Sequence, residues 1–243
     1  VAQTVPNLKS YDPAFAYELA VIVREGIQRM YEKQENIFYY LTIYNETYPM
    51  AAMPTGPDIH TGILRGMYCH RRAEIRHDGK RKAHLLGSGP ILLQALQAQK
   101  LLADAGVAAD VWSVTSYNEL FRQAQETERW NRLHPAAPPR TPYVARLLEG
   151  EEGVFVAASD FIKALPNSIA PWLPGAYYVL GTDGYGLSES RPDLRDYFEV
   201  SAEHIAVTAL YGLVQQGALD LSVLEEAMTR YGIDPEKPSA AQK

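Results

Sequence analysis

From residue 83 onward, short apolar runs of strand length alternate with stretches of helical periodicity, and this alternation most limits what the chain can become. Ala83-His-Leu-Leu86, Val111-Trp-Ser-Val114, Val154-Phe-Val-Ala-Ala158 and Tyr177-Tyr-Val-Leu180 are short and apolar, and most are rich in β-branched or aromatic side chains, which marks strands. Between them, Ile91 to Ala103 and about Asn118 to Leu133 repeat apolar residues at helical spacing, the first ending near Gly106. Ile162 to Trp172 reads as partly helical. Two more helices, near Ser201 to Gln216 and Ser222 to Tyr231, are separated by Gly217. Strands taken in turn with helices predict a doubly wound, mostly parallel α/β sheet. No internal repeat is present.

The segment before residue 83 has a different texture. Asp12 can cap a helix and Pro13 suits its first position, with Phe15, Leu19, Ile22 and Met30 on an apolar face reaching about Lys33. Ile37 to Tyr44 reads as a buried strand. Residues 45–59 hold three prolines and a glycine, so they are the predicted linker. Gly66-Met-Tyr-Cys-His70 and Ala83-His-Leu-Leu86 flank a charged turn, His77-Asp-Gly-Lys80, which predicts a β-hairpin.

Composition excludes several classes of function. A net charge of −6 spread over 243 residues leaves no basic stripe for nucleic acid. The longest apolar runs, Ala16 to Val23 (broken by Glu18) and Ile205 to Val214, fall well short of the roughly twenty residues a membrane helix needs. The opening residues lack the basic and apolar blocks of an export signal. Cys69, the single cysteine, cannot form an internal disulfide and suits a reducing cytoplasm. Its strand setting favours a buried thiol over a nucleophile. The chain starts at Val1 on sequence of mid-protein character, so it reads as a fragment or a processed piece.

The run from Val179 to Phe198 joins a strand, three glycines (Gly181, Gly184, Gly186) and a helix capped near Ser190 with Pro192 in its first turn. It predicts a tight crossing from a buried strand to a helix, shaped by the turn or built around a ligand. Asp183 and Ser188 are expected to hold the turn and the helix entry. Gly87-Ser-Gly89 follows a strand and precedes a helix, a place where an anion can bind. It lacks the third glycine of a dinucleotide fingerprint and the acidic residue after the next strand, so tight-turn packing is the stronger reading. His60, His70, His77, His84, His134 and His204 show no ligand spacing, so no metal site is expected. His84 and His204 suit structural roles. No Gly-x-Ser-x-Gly nucleophile elbow occurs. Asp160 and Asp183, just past strand ends, are the best-placed carboxylates, and caps or turns account for both.

Several segments together carry a resemblance: Pro6 to Glu18, Glu35-Asn-Ile-Phe-Tyr-Tyr40, Leu85-Leu-Gly-Ser-Gly89, Ser113-Val-Thr-Ser116, Glu128 to Pro135, and the run from Val179 to Phe198. In this order and spacing they resemble the C-terminal part of the homodimeric bacterial pyruvate dehydrogenases, thiamine-dependent first components of the pyruvate dehydrogenase complex. Those enzymes are transketolase-like. The resemblance implies that residues 1–57 are the last helix and strand of a pyrimidine-binding domain plus a linker, and that residues 58–243 are a transketolase-like C-terminal domain.

The same resemblance implies where the chemistry lies. The family's Gly-Asp-Gly diphosphate and magnesium motif, its cofactor-activating glutamate and most of its active-site histidines sit upstream of Val1. Hence no catalytic, cofactor-binding or metal residue is expected in this chain, and thiamine diphosphate and magnesium are expected in the parent but not on this chain alone. Asn45 and Glu46 stand where transketolases carry a phosphate-reading arginine, which places them at the active-site periphery. Pro49 replaces a histidine that some members have. The implied partners are a second copy of the parent chain and the lipoyl acetyltransferase component, in the cytoplasm, without nucleic acid or membrane. Two alternatives stay open: a non-catalytic dimerisation or assembly module, and the equivalent part of an enzyme for another short 2-oxo acid such as 2-oxobutanoate.

Overall fold

The computed structural model describes residues 2–56, 58–74 and 81–242. The chain opens on a small β–α–β unit of β1 (Leu8–Tyr11), α1 (Ala16–Ile27) and β2 (Phe38–Leu41). The two strands run parallel, Leu8 opposite Phe38 and Tyr11 opposite Leu41. β1 escaped prediction because Leu-Lys-Ser-Tyr is short and half polar. β2 is shorter than the expected Ile37 to Tyr44 strand and is not buried: Phe38 and Tyr40 are 47% and 56% exposed. A strand with one partner, in a sheet of only two, has little to cover it.

Asp12 does not cap α1. The N-cap is Phe15, without a side-chain cap, and the Asp12 carboxylate is spent on the hydroxyls of Thr42 and Tyr44 instead. The free N–H groups at the helix start are met from inside the helix. Glu18 reaches back to accept from Ala14 N at 2.5 Å and Phe15 N at 3.0 Å, which satisfies donors a cap would take. Beyond Ile27 the helix widens into a π-type turn, Gln28–Glu32.

After the predicted linker come α2 (Ile59–Arg65), β3 (Tyr68–Arg71), β4 (Lys82–Gly87), α3 (Ile91–Asp104), β5 (Ala108–Ser113), α4 (Tyr117–Leu133), α5 (Tyr143–Leu147) and β6 (Val154–Ala158). The chain ends with α6 (Ala164–Asn167), β7 (Tyr177–Leu180), α7 (Arg191–Tyr197), α8 (Ala202–Gln215) and α9 (Leu221–Tyr231). The strands form a five-stranded sheet in the order β3-β5-β4-β6-β7. Four strands are parallel, and β3 closes one edge antiparallel to β5. The expected hairpin of β3 with β4 is therefore absent, because β5 lies between them. Its proposed turn, residues 77–80, lies outside the described residues.

Alternation along the strands divides the core in two. Leu85, Val111 and Val156 face α3, α8 and α9, whereas Leu86, Trp112 and Phe155 face α4 and α5. Helices on both faces make this a doubly wound α/β sheet. β7 is an edge strand and only half-buried, not the buried strand expected. The opening unit is fastened to the sheet through Glu18, which also accepts from Tyr68 of β3 and Ser113 of β5, each at 2.6 Å. Burial pushes the Glu18 carboxyl up from its ordinary range, against the pull of those four donors.

Candidate functional site at the carboxyl edge of the sheet

Open α/β sheets present function beyond the carboxyl ends of their strands. Here that edge faces the end of β2. Asn45 and Glu46 both reach α7: Asn45 Oδ1 accepts from Arg191 at 2.6 Å, and Glu46 pairs with Arg195 at 2.6 Å and Arg191 at 3.6 Å. The strand end and the helix after the glycine run, read separately in the sequence, thus meet. Sequence reading did not single out Arg191 and Arg195. Their i, i+4 spacing, which sets two cations on one helix face, was the available signal.

Glu46, Arg191 and Arg195 line a cavity of about 200 Å³ with Tyr44, Asp160 and Thr182. Burial, then the neighbouring Asp12 carboxylate, raises Asp160 to about 6 against the opposing pull of Arg195. Burial likewise raises Asp12, although the hydroxyls of Thr42 and Tyr44 donate to its Oδ1 at 2.5 and 2.8 Å. The edge therefore brings two carboxyl groups of raised proton affinity beside an Arg–Glu–Arg cluster. Such a setting can bind a polar group and hold or release a proton near neutral pH.

The glycine run is an exposed loop between Leu180 and Arg191, not a tight crossing. Gly184 takes φ +109, a left-handed conformation that only glycine adopts freely. Asp183 Oδ1 accepts from Lys163 N at 3.0 Å, and Thr182 Oγ1 donates to Asp160 O at 2.7 Å, which ties the loop to the end of β6. Ser190 caps α7 by accepting from Asp193 N. Ser188 is exposed two residues earlier, so the helix entry assigned to it falls to Ser190. Gly181 is buried at the end of β7, and Gly186 is exposed with open space around it. Gly89 supplies a turn of φ +51 packed directly on the Asp12 carboxylate, where a Cβ would stand 2.8 Å from Oδ2.

At the opposite end of the sheet, His84, Asp110 and Glu151 bring three metal-type ligand atoms within 4.8 Å of one another. Their capacity is already committed. Lys82 lies 3.3 Å from Asp110 and also pairs with Glu151, while Arg72 pairs with both at 2.8 and 2.5 Å. His84 Nε2 lies 3.0 Å from the Glu152 carbonyl, and its Nδ1 accepts from the Trp112 indole at 3.2 Å. Burial lowers this imidazole to about 4, so it is neutral at pH 7. His204 shares a hydrogen bond with Ser201, and His134 stacks on Trp130. His70 lies beside Tyr17, His60 is exposed, and His77 falls outside the described residues. The Cys69 thiol is raised to about 11 by burial, which keeps it protonated and unreactive.

Residues 66–201 match the transketolase-like TK C-terminal domain, and residues 1–51 match the pyruvate dehydrogenase E1 component middle domain. The chain belongs to the transketolase-like TK C-terminal domain family. A pyruvate dehydrogenase E1 component of Pseudomonas aeruginosa is 48% identical over 242 residues, covering 98% of this chain and 27% of that protein. One from Escherichia coli K12 is 46% identical, with 96% and 26% covered. The chain thus spans about a quarter of the length of these curated relatives. Among solved structures, a transketolase of Pichia stipitis complexed with sedoheptulose 7-phosphate superposes with a TM-score of 0.59 at 17% identity, over 90% of this chain and 27% of that one. A split-gene transketolase in an inactive beta4 tetramer gives 0.56 at 16%, over 88% and 60%. At these identities the structures show the shared fold alone.

Proposed function

We propose that this chain is the C-terminal region of a pyruvate dehydrogenase E1 component. The parent would decarboxylate pyruvate oxidatively on thiamine diphosphate with magnesium and acetylate a lipoyl domain. The observation that carries the reading is the succession of two matches, the E1 middle domain and then the TK C-terminal domain, along one chain. In this reading residues 1–57 end the pyrimidine-binding domain and residues 58–243 form the C-terminal domain, joined through the buried Glu18 carboxylate. The parent works as a cytoplasmic homodimer beside the acetyltransferase component. Among the described residues, no helix is long and apolar enough to cross a membrane.

The residues present do not fit the cofactor. A magnesium-bound diphosphate needs carboxylates free to ligate, and the acidic cluster nearest to that geometry is neutralised by Lys82 and Arg72. No step through thiamine diphosphate is therefore assigned to this chain. Its part is to pack and orient, with Asn45 and Glu46 at the periphery of the parent's active site. Residues 1–243 alone are expected to show no turnover, and pyruvate-dependent acetylation of a lipoyl domain by them would overturn the reading. A Gly-Asp-Gly motif encoded well upstream of Val1 is the positive expectation. In the full-length protein, Asn45→Ala should slow pyruvate turnover while leaving melting unchanged. Full activity in that variant would remove the peripheral role.

A further inference from the structure

We infer that the carboxyl edge of the sheet holds a binding site for a small uncharged ligand, a flat apolar ring carrying a primary amide or an equivalent adjacent donor and acceptor. The site is a cavity of about 320 Å³ between the β1–β2 unit and the starts of α4 and α6. Three polar side chains that line it carry atoms left without a hydrogen-bond partner among the described residues. Tyr117 and Asn118 are each 3% exposed, yet the Tyr117 hydroxyl and both the oxygen and the nitrogen of the Asn118 amide make no hydrogen bond. Asp12 Oδ2 is the third. Its sister oxygen holds two hydroxyls, and the Ser88 hydroxyl, which lies close enough to favour the Asp12 carboxylate, donates to Ser159 at 3.1 Å.

Buried polar atoms are almost always paired, so several unpaired ones around a single cavity mark the place of something that pairs them. Helix capping does not explain Asn118. Ser116 already caps α4 by accepting from Glu119 N at 3.0 Å, which leaves the amide two residues later without a local duty. An Asn amide offers one acceptor and a donor side by side, and its complement is a group of the same kind turned around. Tyr117 adds a hydroxyl. Phe161, Ile162 and Leu165 supply apolar wall, and the volume is in the range of small-molecule pockets.

The lining also argues against an anion. No Lys, Arg or His is among the residues around this cavity, so a carboxylate or phosphate would be desolvated without a counter-ion. Pyruvate is excluded on the same ground. The inference therefore stands or falls independently of the reaction proposed above.

Benzamide is the probe and benzoate its isosteric, charged control, each tested on the full-length protein by saturation-transfer difference NMR. Benzamide should show transfer and benzoate at least tenfold weaker binding. Asn118→Leu should remove the benzamide signal, and Tyr117→Phe should weaken it several-fold. The latter removes only a hydroxyl that has no protein partner, so its melting temperature should hold or rise, and it carries the test if Asn118→Leu does not fold. Absence of benzamide transfer on the wild type, equal binding of benzoate, a fall in the melting temperature of Tyr117→Phe, or soaked crystals with only water in the cavity would overturn the inference.

Discussion

The two ends of the central sheet hold similar numbers of charged groups and use them in opposite ways. At the amino end, Asp110 and Glu151 meet Lys82 and Arg72 in a closed network, and both carboxyls are held below their ordinary range. Burial pulls each of them up, but the Ala73 N–H, Arg72 and Lys82 at Asp110, and Lys82 and Arg72 at Glu151, outweigh it. At the carboxyl end, burial wins: Asp12 and Asp160 are raised, Asp160 further by the Asp12 carboxylate, where Arg191 and Arg195 are engaged by Glu46. A saturated network has no capacity left for a ligand and serves the fold. An unsaturated one is tolerated only where something else is to be bound or a proton is to be held, which is why the carboxyl edge is the candidate site and the amino end is not.

The amino-end network is the place to look for the largest effect. Lys82→Met leaves two nearly buried carboxylates under-compensated and should lower unfolding stability by about 3 kcal/mol in urea titrations. A loss below about 0.5 kcal/mol would show the pairs to be ornamental, like exposed ones. The pH dependence follows the same logic. Folded pKa values below the unfolded ones give stability that is present above about pH 4 and lost as pH falls through the lowered values. In Lys82→Met the folded values move up toward the unfolded ones, so this acid loss should be smaller and end at higher pH.

Asp160 should respond with the opposite sign. Its folded value of about 6 lies above the ordinary 3.8, so its contribution is full below about pH 4 and is lost as pH rises through 6. Asp160→Asn removes that loss and should be about 2 kcal/mol more stable than the wild type at pH 7.5, with little gap at pH 4. Equal gaps at both pH values would show the carboxyl to be ionised throughout and would erase the contrast between the two ends. A smaller effect is expected from Arg195→Met, which frees Glu46 on one side while Arg191 remains: about 1 kcal/mol by thermal unfolding. No change would mean that α7 does not depend on the end of β2.

The fold was readable because the strands of the sheet's middle are fully buried and the helices amphipathic. Val154–Ala158 and Tyr177–Leu180 match their predicted limits, and α3, α4, α8 and α9 begin and end within about two residues of theirs. What failed were features decided by distant partners. β3 and β4 look like a hairpin locally, yet β5, entering later in the chain, takes the place between them. Asp12 looks like a cap, but two hydroxyls thirty or more residues away claim its carboxylate. The candidate site divides in the same way. Asn45, Glu46, Asp160 and Asp183 stand at strand ends and were visible, whereas Arg191, Arg195, Tyr117 and Asn118 gain meaning only when the edge is assembled. A polar residue in the first turn of a helix reads as ordinary until its amide is seen to face no partner.

Asp183 gives the smallest effect and the sharpest limit on the functional edge. Its bond from the Lys163 N–H at 3.0 Å joins the glycine loop to the β6–α6 connection, and a single hydrogen bond on a half-exposed side chain is worth about 1 kcal/mol. Asp183→Ala should therefore lower stability by about that amount, measured by chemical unfolding, or weaken dimerisation of the full-length protein. Cofactor affinity in that protein should be unchanged, because the Asp183 carboxylate is engaged within the fold by the Lys163 N–H. Normal unfolding and dimerisation with weakened cofactor binding would reverse the assignment. The unsaturated edge would then extend along the loop to Asp183, and the contrast between the two ends of the sheet would include the glycine run as a ligand loop.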